Sequence, residues 1–163
     1  MLPRCPAVTG RKKDAMTAQK DNPHLTITLT GRNPVKIKKD DWPIIADAED
    51  YWYDGQVEFQ ANRRKKCKLV VRQHADGRTL VYGIYTYQTN FQSERGYDVR
   101  GGELLTVDGV SSENVGDCKV IAGAIQRVGQ WMIEHLPSDR QDDDEAFDRV
   151  IHDCIADLPA EEL

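Results

Sequence analysis

Hydrophobic and polar positions alternate where the readable part of the chain begins. Leu25, Ile27 and Leu29 interleave with Thr26, Thr28 and Thr30, and Val35 and Ile37 resume the alternation between Lys36 and Lys38. A period of two is that of a half-buried strand. The intervening Gly31-Arg32-Asn33-Pro34 reads as a turn, so a hairpin is predicted here. Asp40 or Asp41 is placed to cap a short helix through Trp42-Pro43-Ile44-Ile45-Ala46, since proline is favoured in a first turn. Tyr51-Trp52-Tyr53, ahead of Asp54-Gly55, fits an interface anchor or a core corner. Aromatic rings beside turns usually pack inward with their polar tips wet, which favours the core.

A second hairpin is predicted over Arg63–Gln88, because Asp76-Gly77 between alternating hydrophobics is a strong turn signal. With a four-residue loop, His74 to Gly77, Cys67 faces Ile84, Leu69 faces Tyr82 and Val71 faces Leu80. That side is wholly apolar and is assigned to the core. The other side carries Arg64, Lys66, Lys68 and Arg72, with Tyr85 and Tyr87 opposite Lys66 and Arg64. A slip of one residue would mix these sets, and burial of one face penalises such slips. The polar stretch from Thr89 to Gly102 holds either a further strand ending in Leu104-Leu105 or a long functional loop. Asp108-Gly109 marks another turn.

The period then changes. Ile121, Ile125, Val128, Met132 and Leu136 form the stripe of an amphipathic helix, with Asp117 as its cap. Gly123 and Gly129 each cost about 1 kcal/mol there relative to Ala, which points to a close backbone crossing. Pro137 stops that helix, and Ser138 or Asp139 can start the next. Phe147, Val150, Ile151, Cys154, Ile155 and Leu158 form the second stripe, ended by Pro159. The expectation is α+β: an antiparallel sheet of hairpins or a meander, followed by two C-terminal helices packed as an antiparallel pair on one face. Residues 24–163 are read as one domain. Residues 1–23, with five basic residues, three prolines and no apolar periodicity, are read as a disordered arm, and Met16 is an alternative start.

Charge changes the picture by segment more than in total. The net charge is −5, which argues against a general polyanion binder. Asp139–Leu163 nevertheless holds ten acidic and two basic residues, whereas Phe59–Ala75 holds six basic residues and no acid. The two patches either attract each other within the fold or mark an interaction surface. The 163 residues suffice for one ordinary core, and no apolar run approaches the ~20 residues of a membrane span. With no secretory signal pattern, a cytoplasmic protein with reduced thiols is expected. Cys5, Cys67, Cys118 and Cys154 include no C-x-x-C pair.

Candidate chemistry is sparse. The acid run Asp142-Asp143-Asp144-Glu145 lacks the spaced acids and glycine of a calcium loop. Its place at a helix start suits the macrodipole better, although the acids that follow also allow a DNA-like decoy surface. Asp148 and His152 share a helix face, but no nucleophile accompanies them, and Cys154 points elsewhere. G-x-S-x-G, H-E-x-x-H, the P-loop and G-x-G-x-x-G are all absent, so no cofactor or metal is expected. A hydrolase site near Glu58, His74 or Glu94 would need two of these groups together.

The basic-aromatic face is the sharpest feature. Arg64, Lys66, Lys68 and Arg72 recur at ~7 Å or multiples of it along a strand, much as phosphates recur along a single-stranded nucleic acid. Tyr85 and Tyr87 are placed to stack on bases. Arg95, Tyr97 and Arg100, from the polar stretch that follows, complete the candidate binding set. A plainer and commoner arrangement is a solvent face whose lysines guard an edge strand.

The blocks LTGRNPVKI, DGQVEFQANRR, VRQHADGR, VYGIY, ERGYDVRGGELL and CIADLPAEEL resemble a group of small uncharacterised proteins of phages, prophages and other mobile elements of Gram-negative bacteria. The resemblance runs from about Leu25 to Leu163 and transfers no catalytic role. It implies an accessory, non-enzymatic protein that binds a host or element macromolecule. A host or phage protein is the expected partner, a defence-system component among them, and nucleic acid the alternative.

Overall fold

The computed structural model describes residues 22–56, 61–106, 118–136 and 141–159. Strands β1 (His24–Ile27) and β2 (Val35–Lys38) form the first predicted hairpin. Strands β3 (Ile44–Gln56), β4 (Ala61–Gln73), β5 (Thr79–Thr89) and β6 (Tyr97–Leu105) form an antiparallel meander in the order of the chain. Helices α1 (Cys118–Glu134) and α2 (Gln141–Ala156) follow, so the class is α+β. The turn expected at Asp108-Gly109, the Asp117 cap and the link at 137–140 lie outside the described residues. So does the arm, apart from residues 22 and 23.

The four-stranded sheet is the middle of three layers. On one face Cys67, Leu69, Val71, Val81 and Tyr85 pack under the helix stripes, among them Ile121, Ile125, Met132, Phe147 and Val150. On the other, Val70, Leu80 and Tyr82 meet Ile27, Leu29, Ile37 and Trp42 from the β1–β2 hairpin and the segment after it. Burial on both faces makes β5 apolar at nearly every position from Leu80 to Tyr85. Such a strand carries no alternation to report its own phase.

The turn supplies the phase instead, and it corrects the expected register. His74 N–H donates to the Arg78 carbonyl and Gly77 N–H to the His74 carbonyl, both at 2.9 Å. The loop is therefore the three residues Ala75-Asp76-Gly77, with Gly77 at φ +97°. This is the common three-residue hairpin whose last position is left-handed and favours glycine. Cys67 then faces Tyr85, Leu69 faces Gly83 and Val71 faces Val81. On β4 the expected faces hold. On β5 they are exchanged: Leu80, Tyr82 and Ile84 lie toward the hairpin, and Tyr85 and Tyr87 toward the helices.

Two further expectations are corrected. The segment at Trp42–Ala46 is not a helix: a 3-10 turn covers Lys39–Asp41, and β3 starts at Ile44. The residue before a proline is pushed out of the helical region, and β-branched Ile44 and Ile45 suit a strand. Asp54-Gly55 lies inside β3 rather than at a turn. The strand places Tyr51 outward, 51 % exposed, while Trp52 packs against the core. The ambiguous stretch after Thr89 resolves into a short loop and β6.

The helices match their stripes. Ile121, Ile125, Val128, Met132 and Leu136 are buried, as are Phe147, Val150, Ile151 and Cys154. They run antiparallel, with Cys118 Sγ 3.3 Å from the Pro159 carbonyl at one end. Gly129 is the close crossing: a Cβ there would lie 2.4 Å from Ile151 Cδ1 and Cγ1. Gly123 is not, since its nearest neighbour would be the Arg127 guanidinium at 3.4 Å. The same substitution should thus act with opposite signs in one helix. Gly129→Ala is expected to lose about 1–3 kcal/mol by overpacking, and Gly123→Ala to gain up to about 1 kcal/mol of helix propensity. Denaturant unfolding of both variants checks the pair.

Candidate functional site

The candidate residues separate once the register is known. Arg64, Lys66 and Lys68 do share one face of β4, away from the helices, with Arg64 and Lys66 exposed and Lys68 half-buried. Arg72 shares the face but is committed to structure. Its Nε donates to Tyr82 Oη at 3.0 Å and its Nη1 to the Trp42 carbonyl at 2.9 Å, tying the hairpin-side core to the sheet. Tyr85 and Tyr87 are not beside the cations. They are buried on the opposite face, where Tyr97 stacks on Tyr87 with ring centroids 5.1 Å apart. Arg95 is exposed in the β5–β6 loop, and Arg100 is exposed on β6 on the same face as Lys66 and Lys68.

The β1–β2 hairpin covers the end of that face near the Asp76-Gly77 turn and reaches as far as Ile84 and the flank of Arg100. The other half is open. It displays Arg64, Lys66, Lys68 and Arg100 among Thr86, Gln88, Glu49 and Asp98, with Asp47 at its margin. Lys66 Nζ lies 3.6 Å from Glu49 and Arg100 Nη2 lies 3.1 Å from Asp98. Exposed pairs of this kind contribute roughly 0.2–1 kcal/mol, so they hold their cations only weakly. Tyr51, which the sequence reading put in the core, lies on this face directly across from Lys66.

The inward residues of the basic run meet carboxylates. Lys65 is 4 % exposed, and its Nζ lies 3.3 Å from Oδ1 of the fully buried Asp143. That contact lacks hydrogen-bond alignment at Oδ1, so its attraction is chiefly Coulombic. Asp143 Oδ2 accepts a 2.5 Å bond from Tyr85. The acid run thus does more than suit a helix start: one of its members turns inward and pins α2 to β4. Removing one member of such a buried pair strands the other and typically costs about 3–5 kcal/mol. Its neighbour Asp144 has a raised pKa, first from burial and then from the charges of Asp143 and Asp148.

The signal for this pair was present in the sequence. Lys65 continues the Cys67-Leu69-Val71 phase, and Asp143 precedes Phe147, Val150 and Cys154 at helical steps. Arg63 follows the same inward phase. Its Nε and Nη2 grip Glu94, the latter at 2.6 Å, and its guanidinium lies 4.3 Å from the Phe91 ring centre. Tyr87 and Thr89 also donate to Glu94 Oε1, at 2.8 and 2.9 Å. This cluster straps the β5–β6 loop to the sheet.

The two described groups of the proposed hydrolytic set, His74 and Glu94, do not come together. Glu94 and His74 sit at opposite ends of β5, and Glu58 lies outside the described residues. Asp148 and His152 line an open groove between the helices with Trp131 and Glu134, and none of the described lining residues is a serine, threonine or cysteine. Burial pushes the Cys67 and Cys154 thiols up to about 12, which keeps them protonated. Among the described residues no group of three or more His, Cys, Asp or Glu is placed to hold a metal ion, and no helix is long and apolar enough to cross a membrane.

No protein-family model, curated protein or solved structure matches this chain.

The Glu94 cluster has a pH signature. The Arg63 hydrogen bonds, followed by that of Tyr87, hold the Glu94 carboxyl at about 2 against an ordinary 4.5. A pKa depressed by folding contributes stability above the ordinary value and loses it as pH falls through the folded one. Thermal melts should show Glu94→Gln less stable than the wild type at neutral pH. The difference should shrink as pH drops from 4.5 toward about 2. A constant difference across that window would contradict the assignment.

Proposed function

We propose that the protein is a non-enzymatic binding protein of a phage or other mobile element, and that it engages a host or element macromolecule through the open half of its sheet. One observation carries this reading. Lys66 and Arg64 stand exposed on a central strand, beyond the edge that the hairpin reaches at Ile84 and Arg100, with Lys68 half-buried beside them. A central strand is normally buried on both faces, and Lys65, Cys67, Leu69, Val70 and Val71 of this one are. The setting in mobile elements rests on the resemblance of the sequence blocks, and a host defence component is one target of the right kind.

The distribution of the remaining charge supports the same reading. Arg63 and Lys65 are engaged by Glu94 and Asp143 within the fold, whereas among the described residues Lys66 meets only the exposed Glu49, at 3.6 Å. The acidic outer side of α2, with Glu145, Asp148 and Asp153 exposed, faces the other way.

Affinity capture with the full chain tests the assignment of the surface. Lys66→Glu/Lys68→Glu should reduce partner retention by about ten-fold or more, equivalent to roughly 1.4 kcal/mol. Glu145→Gln/Asp148→Asn/Asp153→Asn should leave it unchanged. The reverse pattern would move the working surface to α2 and overturn the proposal.

A further inference from the structure

We propose that the open half of the sheet binds single-stranded nucleic acid, a proposal that rests on reading this face as the working surface. Alternate residues along β4 set Arg64, Lys66 and Lys68 at intervals of about 7 Å in a straight row. Backbone phosphates of an extended single strand recur on a similar scale, so one cation can follow each nucleotide. Tyr51 stands opposite Lys66 on the neighbouring strand, its ring half exposed. An aromatic ring beside a cationic track is the pairing that holds an unpaired base and its phosphate together.

Chemistry of the face favours this occupant over a protein. Protein interfaces draw most of their affinity from large apolar or aromatic anchors, and their centres are depleted in lysine and acid. Here the large exposed hydrophobic residues, over the described chain, are Tyr51 and Ile44. Ile84, between Lys68 and Arg100, is half-buried against the hairpin-side core. Lys66 and Arg100 hold exposed carboxylates, Glu49 and Asp98. Such pairs are weak in water and yield readily to phosphate. The acidic side of α2 repels a polyanion, which confines binding to one side of the molecule.

The test is fluorescence anisotropy of the full chain with a labelled oligothymidylate, repeated over a range of salt concentrations. Neutralising three to four phosphates on a single strand should give a log–log salt slope of about −2 to −3. Lys66→Glu/Lys68→Glu should weaken binding at least ten-fold, and Tyr51→Ala about five-fold or more. Matching circular dichroism and melting curves show that the variants fold. No binding at low salt overturns the proposal, as does binding insensitive to these exposed residues. Affinity for polyglutamate lost on Lys66→Glu/Lys68→Glu, with none for the oligonucleotide, would retain the working surface but replace nucleic acid with an acidic protein. If neither probe responds to the charge reversal, the surface assignment falls as well.

Discussion

Odd residues of β4 face the helices and even residues face away, and the three-residue turn at Ala75-Asp76-Gly77 carries that phase into β5. Gly77 adopts a left-handed backbone that other residues resist, which fixes the loop at an odd length. With that length Cys67, Leu69 and Val71 meet Tyr85, Gly83 and Val81 under the helices. A loop one residue longer would turn Tyr85 and Tyr87 outward, leaving Asp143 without its hydroxyl donor and Glu94 without one of its three. The packing of α2 and of the β5–β6 loop both follow from this turn.

The same alternation divides one basic run between two tasks. Arg63 and Lys65 point inward and meet Glu94 and Asp143, whereas Arg64 and Lys66 point outward. Buried pairs like Lys65–Asp143 seldom add net stability over an apolar substitute, because each ion must first be stripped of water. Their effect here is positional, since an α2 shifted by one turn would leave both charges buried and unmatched. Among the described residues the acidic C-terminal segment meets the basic strand through Asp143, while Glu145, Asp148, Asp153 and Asp157 are exposed.

Much of this was legible from residue spacing. The first helix stripe is buried and the second is buried from Phe147 to Cys154, with Ile155 and Leu158 half-buried; the first hairpin forms where the threonine alternation places it, and the cation row on β4 has the expected outward phase. What failed did so for local reasons. β5 is apolar on both sides, so its pattern could not reveal a shift of one residue, and the tyrosines went with it. Pro43 reads as a helix start but follows a residue held extended, ahead of two β-branched isoleucines. Charge hides the inward place of Lys65 and Asp143, although each lies in phase with a buried stripe. Tyr51 and Trp52 part company because a strand sends adjacent side chains to opposite faces.

Adjacent lysines of opposite orientation permit a direct test of the phase. Acetylation of the native protein with an amine reagent, read residue by residue by peptide mass spectrometry, should modify Lys66 readily. Lys65, 4 % exposed beside Asp143, should react only as the protein unfolds. Equal reactivity of Lys65 and Lys66 under native conditions would contradict the register and the arrangement of both faces built on it.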